Sequence, residues 1–310
     1  MDAFAVVRLA VGAGFLAFAA VSDVRTRRVH DPVWIALGTI GLVLLLVELG
    51  LDSRGAEQYA LVAATAILFY AVFYGSPLLD EDGIRLRPAR LGLLAAAALL
   101  VLGSAWWVFG LGNGDATAYV RLLTMPAMVL IYQGFYQVGL LRGGADAKAL
   151  IALTLLVPLY PDASPLPVIQ AAPAVSNAMQ VAFPFSLVVL VDAAVLMLAV
   201  PLAYLVVNLA RREFEWPVGF LGVKVPLDAV PRHAWVMERI DDHGERYAVL
   251  FPSHDKDESG EIEKLRAAGA RRIWVETKVP FVLLLFLGFL LAFAAGNLVL
   301  GFLTAVLPPP

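Results

Sequence analysis

The chain of 310 residues is 60% hydrophobic and 16% charged with a formal net charge of -3, and its mean hydropathy is +0.79. Such a balance excludes an ordinary soluble core, and its scattered Lys and Arg give no basic face for a nucleic-acid partner. The absence of cysteine excludes a disulfide framework, thiolate catalysis and any Cys-ligated zinc or iron–sulfur site.

Runs of roughly 20 apolar residues suit about 30 Å of hydrocarbon, and a single span in lipid is helical because its backbone finds no water. The pattern predicts an all-α polytopic membrane protein of about eight transmembrane helices with a small α/β cytoplasmic insert. In chain order the spans fall near 3–21, 33–50, 57–75, 90–111, 119–141, 147–160, 183–209 and 279–305. The sixth is short and stops at Pro158 and Pro161, which makes it a partial or tilted span. The first lacks the charged start and cleavage site of a removable signal peptide and reads as retained.

Arg25, Arg27 and Arg28 follow the first span, Arg85, Arg87 and Arg90 accompany the third-to-fourth loop, and Arg142 and Lys148 flank the end of the fifth. The alternate loops carry only Arg54. The positive-inside rule then places the basic loops in the cytoplasm and both termini outside.

Residues 1–210 are expected to form a membrane catalytic domain, 211–278 a cytoplasmic α/β insert, and 279–310 the final transmembrane helix and a short tail. Within the insert, Ala234–Ile240 and Arg246–Phe251 read as strands around Asp241–Glu245. Glu258–Ala268 reads as a helix closed by Gly269, and Arg271–Val275 as a further strand. The acidic stretch Asp255–Glu263 reads as a solvated helix start. The histidines His30, His233, His243 and His254 show no metal-ligand spacing, so neither metal nor other cofactor is expected.

Acids in or beside a span carry a cost of several kcal/mol and point to function. Asp23 closes the first span and Asp146 sits at the fifth-to-sixth junction, both at the expected cytoplasmic edge, while Glu48 and Asp192 lie inside the second and seventh spans. Two carboxylates sharing a site do not both ionise readily, which leaves one acid and one base to activate water against a peptide carbonyl. Gly143 and Gly144 would let an extended substrate approach. A plainer reading stands beside this one: Asp23 pairs with Arg25 or Arg27 at a helix end, Asp146 is an N-cap, and Gly143-Gly144 is a turn.

Asp23 followed by Arg25-Thr26-Arg27-Arg28-Val29 and Trp34, together with Gly143-Gly144-Ala145-Asp146-Ala147-Lys148, resembles the two signature regions of type IV prepilin peptidases and archaeal preflagellin peptidases, the GxGD-type membrane aspartic proteases. The second motif reads Gly143-x-x-Asp146, with Ala145 where bacterial members usually carry Gly. The resemblance implies an aspartic-type endopeptidase with Asp23 and Asp146 as the catalytic pair. Its partners would be membrane lipid and a prepilin or prearchaellin precursor whose short basic leader precedes a hydrophobic segment. The zinc-binding cysteine pairs of many bacterial members are absent, so their N-methylation activity is not expected.

Asp31 before Pro32 reads as the N-cap of the second span. Lys148, two residues past Asp146, faces away from it on a helix and answers lipid headgroups or another loop. Asp80, Glu81 and Asp82 form a loop charge run that either attracts a basic leader or is only solvated. Asp192 is expected to bond across to another helix. An ion-coupled transporter using Asp192 and Glu48, or a pilus-assembly platform without catalysis, are the other classes open to this composition.

Overall fold

The computed structural model describes residues 2–73, 79–80, 83–84, 88–141, 143–161, 166–169, 178, 180–231, 233–241, 243–250, 252, 258–299 and 301–302. The chain divides into two compact units, Met1–Ala194 with Pro280–Pro310, and Val195–Val279.

The first unit is helical: α1 (Ala3–Thr26), α2 (Asp31–Leu51), α3 (Ala56–Phe73), α4 (Pro88–Ala105), α5 (Ala116–Gln137), α6 (Gly144–Leu156), α7 (Phe185–Met197) and α10 (Phe281–Ala294). A short hairpin of β1 (Leu79–Asp80) and β2 (Gly83–Ile84) separates α3 from α4. A helix therefore stands at each of the expected spans. Crossing the bilayer is another matter: among the described residues, five stretches are long and apolar enough, namely α1, α2, α3, Pro88–Gly110 and Phe185–Ala210. The other three differ for identifiable reasons. Helix α5 has 22 residues but includes Arg121, Gln133 and Gln137, while α6 and α10 have 13 and 14.

Local chemistry sets the helix ends. Asp115 caps α5 by accepting from the backbone N–H of Thr117 and Ala118 at 3.0 Å each, the arrangement that satisfies otherwise orphaned first-turn donors. Helix α4 runs on into a wider π turn at Trp106–Gly110. The long Phe185–Ala210 stretch is interrupted at Leu198, between α7 and α8 (Ala199–Ala210). Pro201 accounts for the break, since it has no N–H for the Met197 carbonyl and its ring crowds that group.

Small residues bring the helices together, as packing in lipid requires. A Cβ at Gly41 of α2 would lie 2.5 Å from the Leu155–Leu156 backbone of α6, and one at Gly288 of α10 would lie 2.7 Å from the Val189 carbonyl of α7. Helix α6 is enclosed, with Ala147 and every residue from Ala149 to Leu156 buried.

The second unit contains α8, β3 (Val223–Pro226), β4 (Ala234–Val236), β5 (Glu238–Ile240), β6 (Arg246–Ala248), α9 (Glu258–Ala267) and β7 (Arg272–Thr277). The antiparallel sheet runs β3-β7-β4. The stretch expected as one strand, Ala234–Ile240, is two: β4 pairs with β7, whereas β5 pairs with β6. Met237 makes the switch, donating to the Trp274 carbonyl while accepting from Val249. Gly269, at φ +77°, ends the turn after α9. Phe251 and Asp255 lie outside the described residues. Buried Leu227, Ala234, Val236, Leu265, Ile273 and Val275 form the core of this unit.

Two outcomes test these contacts. Gly41→Ala is expected to lower stability in detergent by about 1–3 kcal/mol, because backbone rather than a flexible side chain must move. Gly14→Ala, where a Cβ meets nothing within 4 Å, is expected to be neutral or slightly stabilising in the same thermal-unfolding assay. In the second unit, the hydrogen bond from Lys224 holds the Glu215 carboxyl below its ordinary 4.5, against a smaller opposing effect of burial. A depressed acid adds stability above its unfolded value that disappears as pH falls through the folded one. The Glu215 side chain is 56% exposed, so the contribution is small. The difference between wild type and Glu215→Gln in chemical unfolding is therefore expected to be full above pH 4.5 and to close below it.

Candidate active site

Asp23 occupies the last turn of α1, where a side-chain network ties off the helix. Thr26 Oγ1 donates to the Ser22 carbonyl at 2.9 Å, and Ser22 Oγ donates to the Arg28 carbonyl at 2.8 Å. Arg27 turns the chain with φ 55° and returns its N–H to the Asp23 carbonyl at 2.9 Å. A non-glycine residue in this left-handed region costs roughly 1 kcal/mol, which the surrounding bonds offset.

The carboxylate of Asp23 sits at the unfavourable, partially negative end of α1. It is met there by the backbone N–H of Val282 in the first turn of α10, and by the nearby positive charge of Arg27. The start of one helix thus compensates the end of another. Arg25 is exposed.

Asp146 lies in the first turn of α6 but is not its N-cap. That position is Gly143, so Asp146 is the third helical residue, and its own N–H bonds back to the Gly143 carbonyl at 3.1 Å. Asp146 and Asp23 lie within Coulombic range of one another, and both are half-buried.

The two glycines differ in purpose. A Cβ at Gly143 would stand 2.1 Å from Asp146 Oδ2, so the carboxylate folds back over a position that must be bare. At Gly144 the nearest atom would be Tyr136 Oη at 3.5 Å, an ordinary contact. Neither glycine has a left-handed φ, so steric room alone distinguishes them.

Lys148 does not answer Asp146. Its Nζ donates to Asp31 Oδ1 at 2.6 Å and lies 5.5 Å from the centroid of Phe73. Asp31 is correspondingly not the N-cap of α2; His30 holds that position, and Asp31 is the first helical residue. The pair borders a cavity of about 510 Å³ also lined by Arg90, Gln133, Tyr136 and Gln137. Glu81 and Asp82, and the side chain of Asp80, lie outside the described residues.

Two further acids of the helical unit are engaged elsewhere. Glu48 accepts from Arg8 at 2.5 Å, and the Arg8 side chain is only 4% exposed. Arg8 escaped the sequence reading, although a cation early in one span and an acid late in its antiparallel neighbour share a level. Asp192 is fully buried and accepts from the Leu298 N–H at 3.2 Å. Val282 and Leu298 lie at opposite ends of α10, whose 14 residues rise about 20 Å, so Asp192 is remote from the Asp23–Asp146 pair.

Gly143→Ala should displace the Asp146 carboxylate without unfolding the chain. The proteolysis implied by the motifs is expected to fall about tenfold or more in that variant, while Gly144→Ala stays near wild type. Cleavage rates and thermal midpoints of the two purified variants check the contrast.

No family model matches the chain. It is 26% identical over 194 residues to the preflagellin peptidase of Methanocaldococcus jannaschii, a similarity that covers 61% of this chain and 77% of that protein.

Proposed function

We propose that this chain is a membrane aspartic endopeptidase that removes the basic leader peptide from pilin-like or archaellin precursors. The observation that carries the reading is the electrostatic interaction of Asp23 with Asp146, which belong to helices far apart in the sequence. Similarity to a preflagellin peptidase supports the substrate class. The arginine distribution along the sequence supports a site at the cytoplasmic face of the cell membrane.

In the working state one carboxyl is protonated and the other ionised, because two like charges at close range disfavour double ionisation. The ionised group takes a proton from a water as its oxygen attacks the scissile carbonyl carbon, and the protonated group donates to the carbonyl oxygen. Collapse of the resulting diol breaks the C–N bond, with the proton of one carboxyl passing to the leaving nitrogen and a diol hydroxyl proton passing to the other carboxylate. The Val282 N–H holds the Asp23 carboxylate while this occurs. The membrane helices of 1–210 and 279–310 carry the chemistry.

Co-expression with a tagged pilin-like precursor, read by gel shift and mass spectrometry of the product, tests the assignment. Asp23→Asn and Asp146→Asn are each expected to lose cleavage by about 10²–10⁴-fold, the usual worth of a positioned acid or base, while accumulating in the membrane normally. Asp192→Asn is expected to cut like wild type. Normal cleavage by either Asp23→Asn or Asp146→Asn would remove the pair from the mechanism.

A further inference from the structure

The ion pair between Asp31 and Lys148 joins the two motif-bearing segments without touching either acid. Lys148 is two residues beyond Asp146, about 200° around α6, so it cannot serve Asp146 directly. It reaches Asp31 Oδ1 at 2.6 Å, at the first residue of α2. Asp31 is in turn tied to Asp23 by a stiff connection, in which Arg27 is left-handed and Ser22, Thr26 and Arg28 are mutually hydrogen-bonded.

Deeper in the bundle, α2 and α6 are already locked where Gly41 meets the Leu155–Leu156 backbone. Gly41 lies ten residues up α2 from Asp31, about 15 Å along the helix. Packing thus fixes the body of this interface, and at its near end the ion pair adds a polar tie between the beginnings of α2 and α6. The side chains of Lys148 and Asp31 are 26% and 46% exposed. Pairs of that exposure add little to global stability, so the value of this one lies in geometry. Phe73, 5.5 Å beneath the ammonium, limits its swing.

We propose that Asp31 and Lys148 are positioning residues, a clamp that sets the separation of Asp23 and Asp146. The proposal rests on the protease reading above, and it assigns Lys148 a role in turnover rather than in substrate binding.

The test uses the full chain in nanodiscs with a tagged pilin-like precursor. Lys148→Met, which keeps the apolar stem, is expected to lower kcat about tenfold or more while KM stays near wild type, since small displacements of reacting groups are costly. Lys148→Arg should retain most of the rate, and the reversed pair Asp31→Lys/Lys148→Asp should exceed both of its single variants. Thermal midpoints should stay close to wild type throughout.

A wild-type kcat in Lys148→Met overturns the clamp, as does a loss confined to KM or a reversed pair no better than its single variants. Asp23→Asn and Asp146→Asn run in parallel separate the two ideas. If both are inactive and Lys148→Met is unimpaired, the clamp alone falls. If either still cuts normally, the protease reading falls and takes the clamp with it.

Discussion

A short helix with no face turned to lipid is the constraint on which the rest of the membrane unit depends. Helix α6 packs against α1, α2, α5 and α10, and its residues from Ala149 to Leu156 are all buried. An all-round apolar helix is stable only when it is surrounded, so the neighbouring helices take their places around it. Its hydroxyl is satisfied inside the bundle: Thr154 Oγ1 lies 2.9 Å from the Leu150 carbonyl and 2.8 Å from Ser186 Oγ, its single proton serving one of them, and Tyr132 Oη donates to the same Ser186 at 3.1 Å. These bonds join α5, α6 and α7. A helix of 13 residues spans about 20 Å, well short of about 30 Å of hydrocarbon. Its first turn can therefore hold Asp146 among protein groups while the rest of the helix is enclosed.

Placing the second carboxylate creates an electrostatic conflict that the fold resolves through a distant part of the chain. Asp23 lies at the end of α1 where the helix dipole opposes negative charge. The compensating N–H comes from Val282, just after Pro280, which has no N–H of its own to offer. Helix α10 is thus part of the setting of the acid, although the whole of the second unit separates it from α7 in sequence. The longer span of chain between the two parts is tolerated because the packed pairs Gly12–Phe289 and Gly288–Val189 hold α10 against α1 and α7.

Much of this was legible in the sequence, and what was not has physical causes. Helix positions followed hydropathy closely, but hydropathy does not distinguish a side chain facing lipid from one facing another helix. It therefore marked α6 only as a weak span, when its shortness reflects enclosure. The local motifs singled out the distant Asp23 and Asp146, and the structure has the two interacting electrostatically. Asp31 was misassigned by one position: Pro32 marked a helix start correctly, but the helix begins at Asp31, whose carboxylate turns to Lys148. Strand β3 went unread because it is only 4 residues long, Val223-Lys224-Val225-Pro226, and closes on a proline. Its edge place in the sheet explains how that proline is accommodated, since an edge strand can spare a donor. The switch at Met237 was invisible because strand pairing is a tertiary choice that a single apolar run does not encode.

Two other acids of the helical unit have structural partners of their own. Glu48 belongs to a pair with Arg8, and breaking such a pair leaves an uncompensated buried charge, so its presence is accounted for by the partner it needs. Asp192 has one oxygen bonded by Leu298 and lies at the other end of α10 from Val282. A carboxylate about 20 Å away cannot share a proton with Asp23. Asp23 and Asp146 are different in kind: each is set by a backbone feature of its own, a helix start for one and a bare Gly143 for the other, and the two interact electrostatically. Two acids placed independently within electrostatic range of one another carry a cost in repulsion, and that cost is the physical ground of the protease proposal.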